Sequence, residues 1–212
     1  MLRLTSRAME FVSRAVDRGS PDTVLGRDTL HTMATISLGP PGGWAAFRGI
    51  ARGRTGADDL FMAPMESLSA VRPLVASTVR EWSPSVSPDG KFVAYASDES
   101  SSFQVYVLPL PGPGARLRVS TNGGSEPHWS ADSRTIYFRG VSGFMRATLD
   151  AARREVVRVD QLFADSYDRS SFGGRDWDVL PNGEFLMIAV PASSGRVQAV
   201  VQWQSLLKKG SQ

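Results

Sequence analysis

The chain has 212 residues, of which 42% are hydrophobic and 21% are charged; these values are close to those of globular domains and exclude a disordered or low-complexity protein. Its 24 Lys and Arg residues and 21 Asp and Glu residues are interleaved along the whole length, whereas a nucleic-acid binder would concentrate its cations on one stripe or tail. Because there is no cysteine, a disulfide framework, a thiol nucleophile and cysteine-ligated zinc are also excluded.

The N-terminal segment is positively charged but lacks the continuous apolar run of a secretory signal. Residues 1–16 are compatible with a helix or, equally, with the outer strands of a preceding β-sheet unit. The longest apolar runs, such as 105–108 and 185–190, are far shorter than the roughly 18 to 20 residues of a membrane-spanning helix. As written, the chain is therefore expected in the cytoplasm.

A degenerate repeat recurs along the chain at intervals of about 40 to 50 residues. Its copies are residues 39–47, 87–95, 130–138 and 180–188. In each copy an apolar residue precedes a turn, and a short apolar or aromatic run follows it, which predicts strand, tight turn, strand. The pairs Asp89-Gly90 and Asn182-Gly183 are typical of two-residue primed turns, while Gly42 and Ser133 give weaker versions of the same signal.

Further strands are predicted at 59–65 and 104–110, and a fourth strand at 115–120 in the best-preserved copy. Four short strands in each repeat of about 40 to 45 residues are the pattern of β-propeller blades. A β-sandwich with chance similarity of its turns is the alternative. We therefore predict an all-β chain: residues 1–34 are the remnant of a preceding blade, 35–209 form four-stranded antiparallel propeller blades, and 210–212 are a tail.

The turn 87–90, the run 92–100 and the segment 105–107 together resemble the repeat of TolB-like six-bladed propellers. Segments 109–114, 119–124, 126–130, 200–203 and 206–208 are similar to the C-terminal propeller of bacterial eukaryotic-like serine/threonine protein kinases. The resemblance implies a sensory or interaction module, which in those kinases follows a catalytic domain and usually a membrane span. A module of that kind would face the periplasm.

Ring closure by six blades would require on the order of 250 residues, so roughly four to five blades are expected here. An incomplete propeller would leave one blade face open at the N-terminal end, and self-association through that face is expected unless residues 1–34 cover it.

Kinase chemistry is not supported, because there is no glycine-rich phosphate loop and Lys91, on a predicted turn, is the only lysine before residue 208. Segments 140–144 and 169–173 only approximate the nucleophile elbow of serine hydrolases. His31 and His128 are the only histidines, and His128 is expected to be a half-buried residue of an innermost strand. We expect no enzymatic activity, no catalytic residue and no cofactor.

Two histidines without cysteine argue against a zinc or iron site. Four acids, Asp165, Asp168, Asp176 and Asp178, could hold calcium together with loop carbonyls. They lack the ligand spacing of a known calcium loop and fit solvated blade loops better, so no metal site is predicted.

Most aromatic residues fall on predicted strands and are assigned to the contacts between blades. They are Trp44, Phe47, Phe92, Tyr95, Phe103, Tyr106, Phe138 and Phe185. Trp82 and Trp177 are placed less regularly. Either could line the mouth of a channel or could simply pack in the core.

Two functions remain open. The first is a non-catalytic propeller module that binds a protein or a small ligand through its rim loops, which are expected at 52–57, 98–102, 111–115, 140–143 and 192–196. The second is a piece of a kinase or hydrolase polypeptide whose catalytic domain is missing from this chain. A complete hydrolase is a third reading, which labelling of a serine by a phosphonate would reveal.

Overall fold

The computed structural model describes residues 1–4, 8–15, 19–52, 58–152, 154–167, 169, 174–180, 182–189 and 198–200. Within these residues all regular secondary structure consists of β-strands, and every strand pair is antiparallel. The predicted all-β class is therefore confirmed. An apolar helix of membrane-spanning length is absent from this part of the chain.

The chain divides into two compact units, Met1–Ala164 and Asp165–Gln212. The described strands of the first unit are β1 (Leu2–Leu4), β2 (Met9–Ser13), β3 (Thr23–Asp28), β4 (His31–Leu38), β5 (Trp44–Ala51), β6 (Asp59–Pro64), β7 (Arg72–Val75), β8 (Glu81–Val86), β9 (Phe92–Ser97), β10 (Gln104–Pro109), β11 (Leu117–Arg118), β12 (Ser125–Trp129), β13 (Thr135–Arg139), β14 (Phe144–Asp150) and β15 (Glu155–Phe163). Those of the second unit are β16 (Trp177–Val179), β17 (Phe185–Ala189) and β18 (Gln198–Val200).

Strands pair with their neighbours in sequence, so each sheet is a simple meander. The four sheets of the first unit are β1–β3, β4–β7, β8–β11 and β12–β15, and β16–β18 form the sheet of the second unit. Three sheets thus have four strands, as the repeat predicts. The second sheet begins at His31, four residues before the expected start of the blades at residue 35.

All four copies of the sequence repeat lie at the turn between the first and second strands of a sheet. The prediction of a primed two-residue turn at these places is wrong, however. The Gly90 amide donates to the Ser87 carbonyl at 2.8 Å, and within this turn only Gly90 has a positive φ, of 73°. This hydrogen bond makes Pro88 and Asp89 the central residues, and the fixed φ of Pro88, near −65°, suits the first central position of an ordinary turn. A longer turn that ends in a left-handed residue therefore forms instead of the primed turn. Equivalent positions with positive φ are Gly42, Ser133 and Gly183.

The first strands share a second irregularity, which the sequence pattern does not reveal. Their register with the second strand shifts at Met33/Thr35 in β4, at Trp82/Ser85 in β8 and at Ser125/His128 in β12. Ser83 and Glu126, which occupy equivalent positions in two of these bulges, both have φ of 52°. Each bulge interrupts the ladder and redirects neighbouring side chains.

Successive sheets of the first unit pack face to face, and a separate apolar cluster fills each junction. Phe47, Tyr95 and Phe138 occupy equivalent positions on the second strands and are at most 1% exposed. Each belongs to the cluster shared with the preceding sheet. Because both faces of these strands are buried, the sequence shows continuous apolar runs rather than strict alternation.

The aromatic residues assigned to the core are buried to different degrees. Four of them are buried, namely Phe47, Tyr95, Tyr106 and Phe138. Four others are only half-buried, namely Trp44, Phe92, Phe103 and Phe185. The half-buried residues leave part of a ring accessible, and one of them, Phe103, contributes to the site described below.

Candidate functional site

The first strands of the sheets form an inner row in the first unit, with β4 beside β8 and β8 beside β12. At the end of this row where β8 begins, the Glu81 amide donates to the Asp58 carbonyl at 2.9 Å. The Asp98 amide likewise donates to the Arg80 carbonyl at 3.2 Å. These bonds bring the β7–β8 connection, the β9–β10 loop and the residues just before β6 together. We call this end of the sheets the first rim.

Five side chains meet at the first rim, and we call them the Trp82 cluster: Arg48, Asp58, Arg80, Trp82 and Phe103. The rings of Trp82 and Phe103 are stacked, with centroids 4.8 Å apart and an angle of 28° between their planes. The Arg80 guanidinium lies 5.1 Å from the Trp82 ring and 5.3 Å from the Phe103 ring. Arg48 lies 5.5 Å from the Trp82 ring. Both arginines are within the range of cation–π attraction.

Hydrogen bonds to two carboxylates hold this stack in place. The indole N–H of Trp82 donates to Asp58 at 2.8 Å. Asp98 accepts from both the backbone N–H and the Nε of Arg80, each at 2.8 Å. Partial burial would raise the pKa of Asp98, but these bonds and the charge of Arg80 hold it below its ordinary value. The carboxylate is therefore kept charged, and it orients Arg80 over the rings.

The stack remains open to solvent. Trp82 and Phe103 are half-buried, and the Arg80 side chain is 50% exposed. Parts of both rings and the Arg80 guanidinium are therefore accessible to a partner.

The architecture of the sheets does not require this aromatic pair. In the repeat, Trp82 corresponds to Ala34 and Ser125, because each lies four residues before the end of a first strand. When the third strands are aligned through their pairing with the second strands, Phe103 occupies the same position as Asp58 and Ser142. The neighbouring sheets thus fold with small or polar residues at both places.

A buried acidic group lies beside the cluster at the start of β8. Glu81 is 1% exposed, and its carboxyl group accepts a hydrogen bond from the Ser77 hydroxyl at 2.6 Å. Ser77 also donates its backbone N–H to Asp59, which is itself buried, at 3.3 Å. Burial raises the pKa of Glu81 to about 7; the hydrogen bond from Ser77 lowers it and the nearby Asp59 raises it. Glu81 is thus poised to change protonation near neutral pH.

His128 lies on a first strand, as expected, and is half-buried. Its Nδ1 is 3.5 Å from the hydroxyl of Ser85 on the neighbouring sheet. The Trp129 indole N–H donates to the Ser85 carbonyl at 3.0 Å, and the Trp129 amide approaches the Ser85 hydroxyl at 3.4 Å. Because Ser85 is 5% exposed and sits among these contacts, the Ser85–His128 pair joins two sheets and does not present a nucleophile to solvent.

The other histidine forms a pair that the sequence did not indicate. His31 Nδ1 lies 2.8 Å from the Asp28 carboxylate, and its ring packs 4.1 Å from that of Phe61. Asp28 also accepts from the His31 backbone N–H at 3.1 Å. Both residues are buried, and the pair fixes the connection from the first sheet to the second.

The approximate nucleophile elbows do not form a hydrolase site. Ser142 lies in the loop between β13 and β14, a strand–loop–strand setting, whereas an elbow connects a strand to a helix. Most of segment 169–173 lies outside the described residues.

The candidate calcium ligands lie in the second unit. Asp165 pairs with Arg169 at 2.9 Å, and Asp178 pairs with Arg175 at 3.2 Å. Asp168 lies outside the described residues. Among the residues that the structure describes, no three His, Asp or Glu side chains are grouped so that they could hold a metal ion. In this unit Arg175 also lies 5.4 Å from the ring of Trp177, which is buried.

The expected rim loops do not all lie at one end of the sheets. Loops 98–102 and 140–143 connect second strands to third strands, at the first rim. Loop 111–115 connects a third strand to a fourth and lies at the opposite end. Loop 192–196 and most of 52–57 lie outside the described residues.

The sequence interpretation singled out Trp82 but missed its partners. Arg80 and Phe103 are separated from each other by two strands and become neighbours only when the sheet forms. The available signal was that Trp82 stands where the other copies have Ala34 and Ser125.

Comparison with solved structures identifies the fold. A protein from Agrobacterium tumefaciens assigned as a TolB superposes with a TM-score of 0.63 at 16% identity, covering 91% of this chain and 66% of that chain. A puromycin-hydrolysing peptidase from Mycobacterium tuberculosis superposes with a TM-score of 0.52 at 16% identity, covering 85% of this chain and 30% of that one. No family model matches the sequence, and no curated protein matches it.

At these identities the likeness establishes the β-propeller fold alone. It confirms the predicted fold class. The chain spans slightly less than two thirds of the length of the TolB chain and less than a third of the peptidase chain.

Proposed function

We propose that the chain is a non-catalytic β-propeller module that binds a segment of a partner protein on the Trp82 cluster. The observation that carries the proposal is the accessible Trp82–Phe103 stack under Arg80, at positions where the neighbouring sheets have small or polar residues. Tryptophan and arginine in half-buried, preorganised settings are the residue types that dominate the energetics of protein interfaces.

The preorganisation of the cluster supports binding rather than chemistry. Asp58 and Asp98 already fix Trp82 and Arg80, so little side-chain freedom is lost when a partner docks. The described residues offer neither an accessible Ser–His pair nor a metal-binding group of acids. The accessible parts of the rings suit an extended peptide that carries apolar or proline side chains, which can pack against Trp82 and Phe103.

Selection of peptides tests this proposal without knowledge of the natural partner. Peptides from a random phage library are selected on the wild-type chain, and their Kd values are measured by fluorescence polarisation. We expect Trp82→Ala to weaken their binding by about thirtyfold, the loss typical of an interface hot spot.

Trp44→Ala is the matched control, because Trp44 is also half-buried and also lies under an arginine, 4.8 Å from Arg72, but at the other end of the sheets. This variant should bind the selected peptides as the wild type does. Peptides that bind Trp82→Ala as tightly as the wild type would overturn the proposal.

We further propose that this module is the sensory part of a receptor-type serine/threonine kinase, and that it then faces the periplasm. The segments 109–114, 119–124 and 126–130 support this assignment through their resemblance to kinase-associated propellers. Sequencing the reading frame upstream of Met1 tests it: an in-frame kinase domain and membrane span support it, and a stop codon immediately upstream contradicts it.

A further inference from the structure

A groove separates the outer part of the second sheet from the third sheet, and none of its lining residues belongs to the Trp82 cluster. Its volume is about 470 Å³, which is in the range of small-molecule sites. Residues 72–75 of β7 line one wall. Tyr95, Leu108, the loop residues 111–114 and Arg116 line the other.

The charge of the groove is one-sided. Arg72 and Arg116 are its charged lining residues, and none of its described lining side chains is acidic. Arg72 is exposed and stacks on Trp44 at 4.8 Å, and no described carboxylate lies within ion-pair distance of it. Arg116 is 44% exposed; it stacks on Tyr106 at 4.9 Å and pairs with Glu99 at 2.6 Å. One guanidinium is therefore available to an anion, and the other is shared with a single acid.

A buried hydroxyl group adds a second polar feature. Tyr95 is fully buried in the wall of the groove, beside the Arg116 guanidinium. Burial raises the pKa of this phenol, and hydrogen bonding to Arg116 together with the charge of Arg116 acts against that rise. The hydroxyl thus helps to hold the Arg116 guanidinium at the groove.

The remaining lining residues are apolar. Pro73, Leu74, Leu108 and the prolines at 111 and 113 have side chains without hydrogen-bonding groups. Inorganic anions gain nothing from such walls, whereas an organic acid can bury its hydrocarbon part against them.

We propose that this groove binds a small organic carboxylate with an apolar body. Arg72 and Arg116 bind the carboxylate, the Tyr95 hydroxyl positions the Arg116 guanidinium, and the prolines and leucines contact the hydrocarbon part. Glu99 competes with the ligand for Arg116 and so sets the affinity. This site is distinct from the Trp82 cluster, and neither proposal depends on the other.

The test is a titration of the full chain at low ionic strength, followed by ¹H–¹⁵N NMR including the arginine Nε signals. The three probes are phenylacetate, 2-phenylethanol and inorganic phosphate. We expect phenylacetate to bind with a Kd on the order of 1 mM, and the alcohol and phosphate to bind about tenfold more weakly or not at all. Equal affinity for the alcohol, or no saturation by phenylacetate up to about ten times that concentration, would overturn the proposal.

Four variants identify the residues involved. Arg72→Gln should weaken phenylacetate binding about tenfold, and Tyr95→Phe about fivefold, because each removes one hydrogen-bonding group and leaves the fold intact. Tyr137→Phe is the matched control: it also removes one tyrosine hydroxyl, but Tyr137 lies on β13 and does not line the groove, so affinity should not change.

Glu99→Gln should tighten binding, because it releases Arg116 from its internal acid. A groove that acts only through its shape would respond neither to this substitution nor to Arg72→Gln. Unchanged affinity in both variants would therefore contradict the assignment of the carboxylate to these arginines.

Discussion

Glu81 shows how a single buried group couples this fold to pH. Its carboxyl group is removed from water at the start of β8, and in the described part of the chain only the Ser77 hydroxyl donates a hydrogen bond to it, at 2.6 Å. The folded state therefore favours the protonated acid. Because Asp59 and Asp98 add negative charge nearby, deprotonation is opposed by repulsion as well as by burial.

The pKa of Glu81 predicts the direction of a pH effect on stability. Folding raises this pKa from 4.5 to about 7, so the folded state binds more protons than the unfolded state between these values. The contribution of Glu81 to stability is therefore fully present below about pH 4.5 and is lost as the pH rises to about 7. Glu81→Gln keeps the side chain neutral, and it should exceed the wild type in stability at pH 8 by roughly 1 to 3 kcal/mol, with the difference shrinking towards acid pH.

Urea unfolding at a series of pH values measures this difference. Glu66→Gln is the control, because Glu66 is exposed and its replacement removes one carboxylate without touching the buried site. If the stabilities of Glu81→Gln and the wild type run parallel from pH 4 to pH 8, burial of Glu81 does not control its protonation.

At the scale of the element, the turns between first and second strands hold neighbouring sheets in place. The Asp89 amide donates to the Ser133 hydroxyl of the next sheet at 3.0 Å. Gly90 approaches Pro40 of the preceding sheet so closely that a Cβ would lie 2.9 Å from the proline Cγ. These turns were recognisable in the sequence because local chemistry defines them, but their contacts with one another were not.

Two glycines with the same φ allow the cost of backbone strain to be distinguished from the cost of a steric clash. Gly42 and Gly90 both have φ of 73°, but a Cβ on Gly42 would meet nothing closer than a Glu66 oxygen at 3.6 Å. We expect Gly42→Ala to cost about 1 kcal/mol through backbone strain alone. Gly90→Ala should cost roughly 2 to 3 kcal/mol, because Pro40 must also move.

The midpoints of urea unfolding curves give both values. Equal losses in the two variants would mean that the turns of adjacent sheets are free to separate, and that Pro40 does not fix their packing.

For the whole molecule, the sequence predicted the class of fold and the positions of the turns between first and second strands, because a local pattern of turn and apolar run marks each sheet. The candidate site was predicted only in part. Trp82 stood out as an irregular tryptophan, whereas Arg80, Phe103 and Asp58 reach it from separate strands and loops. The groove beside Arg72 and Tyr95 was not predicted at all, since its two walls belong to different sheets and no local pattern relates them.

Each junction between sheets has its own apolar cluster, so we can predict which sheets of the first unit a core substitution destabilises. Phe47 and Phe138 occupy equivalent positions, yet Phe47 belongs to the cluster between the first and second sheets and Phe138 to that between the third and fourth. Replacing either residue by alanine should cost about 3 to 5 kcal/mol through lost burial and the cavity left behind.

Hydrogen exchange measured by mass spectrometry shows where that cost is felt. We expect Phe47→Ala to speed exchange most in β1–β7, and Phe138→Ala most in β8–β15, because each sheet is shielded by its direct neighbours and local opening follows local packing. Acceleration of equal size in all four sheets by both variants would instead show that the unit opens only as a whole, and that its separate clusters form a single cooperative core.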